Sequence, residues 1–324
     1  MTAVRALAWV LAACAALAAA PGAHAQAYPT RPIKIVIGYG AGGVADVMAR
    51  LVGQKMSAAM GQQVIIDNKP GAGQIVAAQT VAKADPDGYT LLFLNTGNVI
   101  SASLFKSLPY DTEKDFAPIS PVGFFGILII TDPKSEIKSL KDLIQQAKAK
   151  PGQLNIGATS VGSTQNLSAE LFKTMAGITV SIVPYKSTPD LITALGRHDL
   201  HAAFESPVTT LNLIRDGQIR ALALTSGKRF AGLADVPTVQ ESGLKGYEVT
   251  TWNAIAAPAK TPKPVIDRLH KEILAALAQP DIQQKFGEFG IEARGGTPEE
   301  TRRLVANEIV KWRDVIKAAN IEPQ

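Results

Sequence analysis

The sequence predicts an α/β protein of two lobes joined by a hinge, with a cleft between them. Three observations carry this. Apolar, β-branched runs of strand length alternate with helical periodicity, the pattern of parallel sheets covered by helices. The alternation occurs in two series that part near Gly126. The length of 324 residues is about twice the ~150 residues of a typical domain. With 46% apolar and 19% charged residues the chain can bury real cores, and it is neither disordered nor collagen-like.

The N-terminus stands apart from both series. Arg5 precedes an apolar run from Ala6 to Ala20, and Ala23-His24-Ala25 has the small-x-small pattern of a signal-peptidase site. Residues 1–25 are therefore expected to be a secretory signal, cleaved after Ala25. Pro21 and Gly22 end the apolar run below the ~20 residues that a spanning helix needs. Leu11-Ala12-Ala13-Cys14 is similar to a lipoprotein cleavage box, but the apolar run continues past it, so lipidation of Cys14 is not expected. Cys14 is the only cysteine. Its removal would exclude disulfides, thiol catalysis and thiolate metal sites from the mature chain.

Ile33 to Ile37 opens the first series as a β-branched strand, followed by Val64 to Asp67 and Thr90 to Leu94. Between the first two, Val44, Val47, Met48, Leu51 and Val52 share one helical face. The second series begins at Gly126 to Thr131. It runs through Leu154 to Ala158, Val180 to Pro184, Ala202 to Glu205 and Arg220 to Leu224. Tyr247 to Ala257 reads as one more long strand, ended by Pro258, and three helices follow. The last opens on Thr297-Pro298-Glu299-Glu300, a capping box with proline at the first helical position. Leu304, Val305, Ile309, Trp312, Val315 and Ile316 form its apolar face. The economical topology returns these helices to the first unit. Residues 26–125 and 248–324 then form lobe 1, residues 126–247 form lobe 2, and the two crossings make a hinge beside a cleft suited to a ligand.

Gly38-Tyr39-Gly40-Ala41-Gly42-Gly43 joins the first strand to the first helix. As G-x-G-x-x-G, with Asp67 ending the next strand, it matches the dinucleotide fingerprint of an NAD-dependent oxidoreductase. Against that reading stand the secretory signal, the Asp46 charge in the first helical turn, and the lack of any nearby arrangement for hydride chemistry. A tight turn is a second reading. The third is that exposed amide N–H groups at the helix start bind a smaller anion such as a carboxylate. Ala158-Thr159-Ser160-Val161-Gly162-Ser163-Thr164 repeats the device in the second series, where ordinary capping by Ser163 or Thr164 is the plain alternative.

The candidate ligand-binding residues are thus Tyr39, Ala41, Gly42 and Gly43 in one loop and Ser160, Gly162, Ser163 and Thr164 in the other. Asn95 and Thr96 join them after the third strand of the first series, and Tyr185 and Lys186 after the third strand of the second. Lys186 could offset ligand charge, and Tyr185 could cover an apolar body or donate a hydrogen bond. Glu205, ending another strand, is a candidate acceptor from a ligand hydroxyl or amine. His198-Asp199-Leu200-His201 with Glu205 fits no familiar zinc spacing, so no metal is expected. Ser163 lacks the G-x-S-x-G elbow of a hydrolase, and nothing singles out a catalytic residue. The net charge of +5 comes without a block of like charges or basic-aromatic interleaving. It argues weakly for an anionic small ligand and against nucleic acid.

Tyr28-Pro29-Thr30-Arg31-Pro32-Ile33, Gly42-Gly43-x-x-Asp46 and Asp67-Asn68-Lys69-Pro70-Gly71-Ala72-Gly73 together resemble the Bug family of solute receptors. So do Asp85-Pro86-Asp87-Gly88-Tyr89-Thr90, Leu108-Pro109-Tyr110-Asp111, Pro184-Tyr185-Lys186, Pro237-Thr238-Val239 with Glu241-Ser242-Gly243, Trp252 and Ala257-Pro258. These are the extracytoplasmic binding proteins of tripartite tricarboxylate transporters. The resemblance implies a type II periplasmic-binding-protein fold, two α/β lobes closing over a small ligand that is usually a carboxylate. It implies residence in the periplasm, delivery to membrane subunits of the transporter, no catalysis and no cofactor. The carboxylate would be held largely by backbone amides, hydroxyls and bridging waters of the loops Tyr39 to Gly43 and Ser160 to Thr164, with Asp46 organising its loop. Three positions depart from the family's habit: Ser187 where Gly is frequent, Asn166 where His is frequent, and Glu205 where Asp is common. A monomer is the natural expectation, and a ligand-sensing module for a two-component system is the alternative to transport.

Overall fold

The computed structural model describes residues 28–71, 74–159 and 161–323; the expected signal with its cleavage site, Cys14 and Ser160 lie outside the described residues. β1 (Ile33–Ile37) runs parallel to β2 (Val64–Asn68) on one side and to β3 (Thr90–Asn95) on the other. The connections are α1 (Val44–Met60) and α2 (Ile75–Ala82). Ile33, Ile35 and Ile37 are buried in one core, and Val36, Leu92 and Leu94 in another. Successive strand residues face opposite sides, so this sheet needs cover on both faces, which a parallel sheet with crossover helices provides.

α3 (Thr96–Leu104) leads to an element the sequence did not betray, β4 (Phe116–Gly126). It is 11 residues long, but Pro118, Pro121 and Gly123 break the alternation by which a strand is recognised. The sheet accommodates both prolines at register shifts between β4 and β10 (Thr250–Pro258). A bulge leaves a backbone N–H out of the ladder, and that is the group proline lacks. β10 begins later than expected because Gly246, at φ 79°, turns the chain just before Tyr247. Strand β11 (Glu292–Ala293) completes a sheet of order β11-β4-β10-β3-β1-β2.

The second sheet uses only strands between these. β5 (Leu128–Thr131), α4 (Leu140–Ala149), β6 (Asn155–Thr159), α5 (Thr164–Ala176) and β7 (Ser181–Tyr185) come first. α6 (Thr188–Gly196), β8 (Ala202–Glu205), α7 (Pro207–Arg215) and β9 (Arg220–Leu224) follow. The strand order is β7-β6-β8-β5-β9, with β6 parallel to both neighbours and β5 antiparallel to both of its own.

The C-terminal helices pack with the first sheet. α8 (Lys263–Leu277) packs on α1 and β4, and α9 (Pro280–Glu288) on α8 and β11. α10 (Pro298–Ala318) carries the capping box read from the sequence. It lies on α3 and β4 and also reaches α5, so one core runs through both layers of helices. Among the described residues no helix is long and apolar enough to cross a membrane.

Backbone passes between the sheets after β4 and again before β10, and Thr225 holds the two passages together. Its buried hydroxyl accepts from the Ile127 N–H at 2.7 Å and donates to the Val249 carbonyl at 2.7 Å. Its own N–H and carbonyl bond the same two residues, each at 2.9 Å. Thr225→Val keeps the shape but strands a buried N–H and a buried carbonyl. Urea denaturation should show a loss of about 2–4 kcal/mol, with Thr225→Ser close to wild type.

Candidate functional site

In each sheet the crossovers leave a central strand in opposite directions. β1 lies between β2 and β3, and β6 lies between β7 and β8. Crevices at the carboxyl ends of such strands are where open α/β sheets take ligands. Here the two crevices share one cavity of about 750 Å³, within the range of small-molecule sites. Tyr39, Ala41, Gly43 and Asn95 line it from the first sheet, and Gly162, Ser163 and Thr164 from the second. Among the described residues that line it, none is charged.

The first loop leaves its helix open. Gly43 caps α1 without any side-chain acceptor, so the amides that begin the helix have no capping group. Gly42, at φ 84°, donates its N–H to Asp46 Oδ2 at 2.9 Å and sits behind the cavity lining. Arg50 bonds both oxygens of Asp46, each at 2.9 Å, and Asn68 donates to Oδ1 at 3.0 Å. Burial alone would raise the Asp46 pKa. The bonds from Arg50, Gly42 and Asn68 outweigh it and hold the carboxyl below the usual range. Its charge is spent on the loop, the role the family resemblance implied.

The second loop repeats the geometry with a neutral group. Gly162, at φ 76°, donates its N–H to Asn166 Oδ1 at 3.1 Å, again four residues ahead. Ser163 Oγ accepts from the Asn166 N–H at 3.1 Å and donates to the Thr159 carbonyl. The Ser163 hydroxyl is thus committed to capping α5, the plainer of the two sequence readings. A Cβ on Gly162 would lie 2.1 Å from Leu104 Cδ2, so only glycine lets α3 meet this loop.

Behind Tyr39 lies a chain of oriented amides. Asn95 takes the Gly97 N–H on Oδ1 at 2.8 Å and donates through Nδ2 to Gln74 Oε1. Gln74 Nε2 then donates to the Tyr39 hydroxyl at 2.7 Å. The Tyr39 ring is exposed, but burial of its hydroxyl pushes the pKa up to about 12, so the group keeps its proton and can donate it onward. Sequence reasoning missed Gln74. The only trace it leaves is indirect: a Cβ on Gly38 or on Gly97 would meet its side chain at 2.4 Å or 2.0 Å. Also missed were the apolar wall of Leu104, Phe105, Phe125 and Ile127, and the polar residues Gln165, Ser206 and Asn253.

Besides Gly42, four expected contacts do not line the cavity. Thr96 is buried, and its hydroxyl accepts from the Trp252 N–H at 3.0 Å, holding β10. Tyr185 packs half-buried on the core of the second sheet, and Lys186 is exposed beyond it. The reason is strand counting. β5 is antiparallel, so β6 matches β1 and β7 matches β2, and the counterpart of the Asn95 position is Ser206 after β8. Glu205 is buried one residue short of the cavity, where burial raises its pKa. Ser187, one of the departures from the family's habit, caps α6. Asp67, which a dinucleotide site would need, lies between Lys34 and Lys69 at 3.7 and 3.8 Å, outside the cavity. Among the described residues no cluster of His, Cys, Asp and Glu could hold a metal ion.

Comparison with known proteins identifies the family. The profile of the "Tripartite tricarboxylate transporter family receptor" matches residues 48–321. The chain belongs to this receptor family. BugT of Bordetella pertussis (strain Tohama I) is 34% identical to the receptor over 295 residues, which cover 90% of each chain. The solved structure "R. palustris Rpa4515 with adipate" is similar at a TM-score of 0.81 and 34% identity, covering 92% of this chain and 100% of that one. The periplasmic binding protein BugD gives 0.79 and 32%, with coverage of 92% and 100%. The receptor is a solute-binding protein with the periplasmic-binding-protein fold, of the kind that serves tripartite tricarboxylate transporters.

The Asp46 cluster has a pH signature. A carboxyl whose folded pKa is depressed stabilises the protein above its unfolded pKa of about 3.9, and that contribution is lost as pH falls through the folded value. Asp46→Asn should lower the urea midpoint at pH 5, and the gap from wild type should close as the pH is taken towards 2.

Proposed function

We propose that the receptor captures a small carboxylate in the periplasm and delivers it to the membrane subunits of a tripartite tricarboxylate transporter. It acts as a monomer, after cleavage of residues 1–25, by binding and release without chemistry. Residues 26–125 with 248–324 and residues 126–247 are the two lobes, and the passages at Thr225 are their hinge. The carboxylate is held by the α1 amides and the loop Tyr39 to Gly43 on one side, and by Gly162, Ser163 and Thr164 on the other. Ser160 extends that second loop.

One observation carries this reading: two strand-to-helix loops, one from each sheet, face each other across a single cavity with no charged side chain in its lining. Helix-start amides hold an anion through fixed dipoles and need no countercharge. Tyr39 and Val161 add support. Both are large, line the cavity and remain 42% and 51% exposed, apolar surface that closure would bury. Adipate, in the similar R. palustris protein, is a carboxylate of suitable size. Lobe closure is the differential contact by which a ligand shifts such a two-state equilibrium.

A thermal-shift screen of the chain from Gln26 tests the reading, using aliphatic, aromatic and amino-acid carboxylates with NAD and NADP. At about 100 times its dissociation constant a true ligand stabilises the folded state by ~2.7 kcal/mol. A carboxylate response is expected, and a response to dinucleotides alone overturns the proposal. Gly97→Ala probes the wall behind Tyr39. Its new methyl would lie 2.0 Å from Gln74 Nε2 and displace a buried amide bonded to Tyr39 and Asn95, so the melting temperature should fall measurably. Titration calorimetry should record about tenfold weaker binding of the same ligand.

A further inference from the structure

Gln165, near the start of α5, lines the cavity while its side chain is anchored from behind. Its Nε2 donates to Glu205 Oε1 at 3.3 Å. That oxygen also receives the Ser206 backbone N–H at 2.7 Å. A backbone N–H can only donate, so Oε1 is an acceptor whether or not the carboxyl is ionised. Any proton would reside on Oε2, which faces the Thr188 hydroxyl at 3.0 Å. The Gln165 amide therefore has one stable orientation, with its NH₂ turned towards Glu205 and its carbonyl oxygen left for the cavity. The opposite wall has the reverse polarity: the Tyr39 hydroxyl, its oxygen already accepting from Gln74, and the uncapped amides of α1. Donors face an acceptor across an uncharged space.

We propose that Gln165 is the specificity-determining residue of this cleft, positioned by Glu205, and that the ligand is a hydroxylated carboxylate. Its carboxylate lies against the α1 loop and its hydroxyl donates to Gln165 Oε1. The proposal rests on the receptor reading above. A carboxylate without a donor leaves that oxygen desolvated and unpaired, which is how hydrogen-bonding sites reject analogues lacking the group. An ammonium also donates, but it would give up its hydration to a lining that contains no carboxylate.

Titration calorimetry on the chain from Gln26 can compare matched ligands. Succinate, malate and aspartate differ only by H, OH or NH₃⁺ at one carbon, and benzoate and 4-hydroxybenzoate make the same comparison on an aromatic body. The strongest carboxylate of the thermal screen, paired with the analogue that gains or lacks one hydroxyl, completes the set. The hydroxylated member should bind about tenfold tighter or better. Gln165→Met keeps the length of the side chain without the acceptor; it should bring that ratio close to one by weakening the hydroxylated ligand and sparing the unsubstituted one an unpaired acceptor. Glu205→Gln retains an oxygen for the Ser206 N–H and should preserve the ratio, whereas Glu205→Leu should lose it. If Glu205→Leu does not fold, the Gln165→Met arm decides. Equal affinities in the wild type, tightest binding of aspartate, or a ratio unmoved by Gln165→Met overturns this inference and leaves the receptor reading intact. Silence from every carboxylate in both experiments removes the receptor reading, and this proposal with it.

Discussion

The architecture depends on two stretches of backbone passing between the sheets at one place. Either passage alone would be a linker; together, bound to one threonine, they become an axis. Thr225 supplies two side-chain and two backbone hydrogen bonds to Ile127 and Val249, all buried. All four bonds lie within one short cross-section, where the proposed hinge would have to bend. The helix layers add a second tie. α10 spans from α3 to α5, so the sheets are also joined through their helices.

Much of this was legible in the sequence, for a physical reason. Parallel strands buried on both faces leave β-branched runs such as Ile33 to Ile37, interrupted only by the exposed Lys34. β4 was hidden because its prolines remove the alternation, and they are tolerated only through bulges against β10, a partner more than a hundred residues away. Tyr185 and Lys186 were placed at the site by counting strands along the chain. Counting fails when an antiparallel strand such as β5 enters the series, since the order in space is then no longer the order in sequence.

The site divides in the same way. Its two loops were readable because each sets glycines or hydroxyls between a strand and a helix, where helix-start amides are exposed. Gln74 and Gln165 were not readable, because an isolated glutamine is ordinary surface in any composition. Their meaning comes from partners 21 and 40 residues along the chain, Asn95 and Glu205, which orient each amide. Asp46 and Asn166 show the same loop solved twice. One uses a carboxylate that then needs Arg50 and Asn68; the other uses an amide that needs no counterion.

The uncharged lining has a consequence for the conditions in which such a receptor works. Ion pairs in an open cleft weaken as dissolved salt shortens the range of their fields, to about 8 Å at physiological ionic strength. Dipoles in direct contact with a ligand are screened far less. A cleft built from amides and hydroxyls should therefore hold its anion with nearly constant affinity as the ionic strength of its surroundings rises and falls. In the periplasm, where the receptor is proposed to act, that constancy is of more use than the added strength of an arginine.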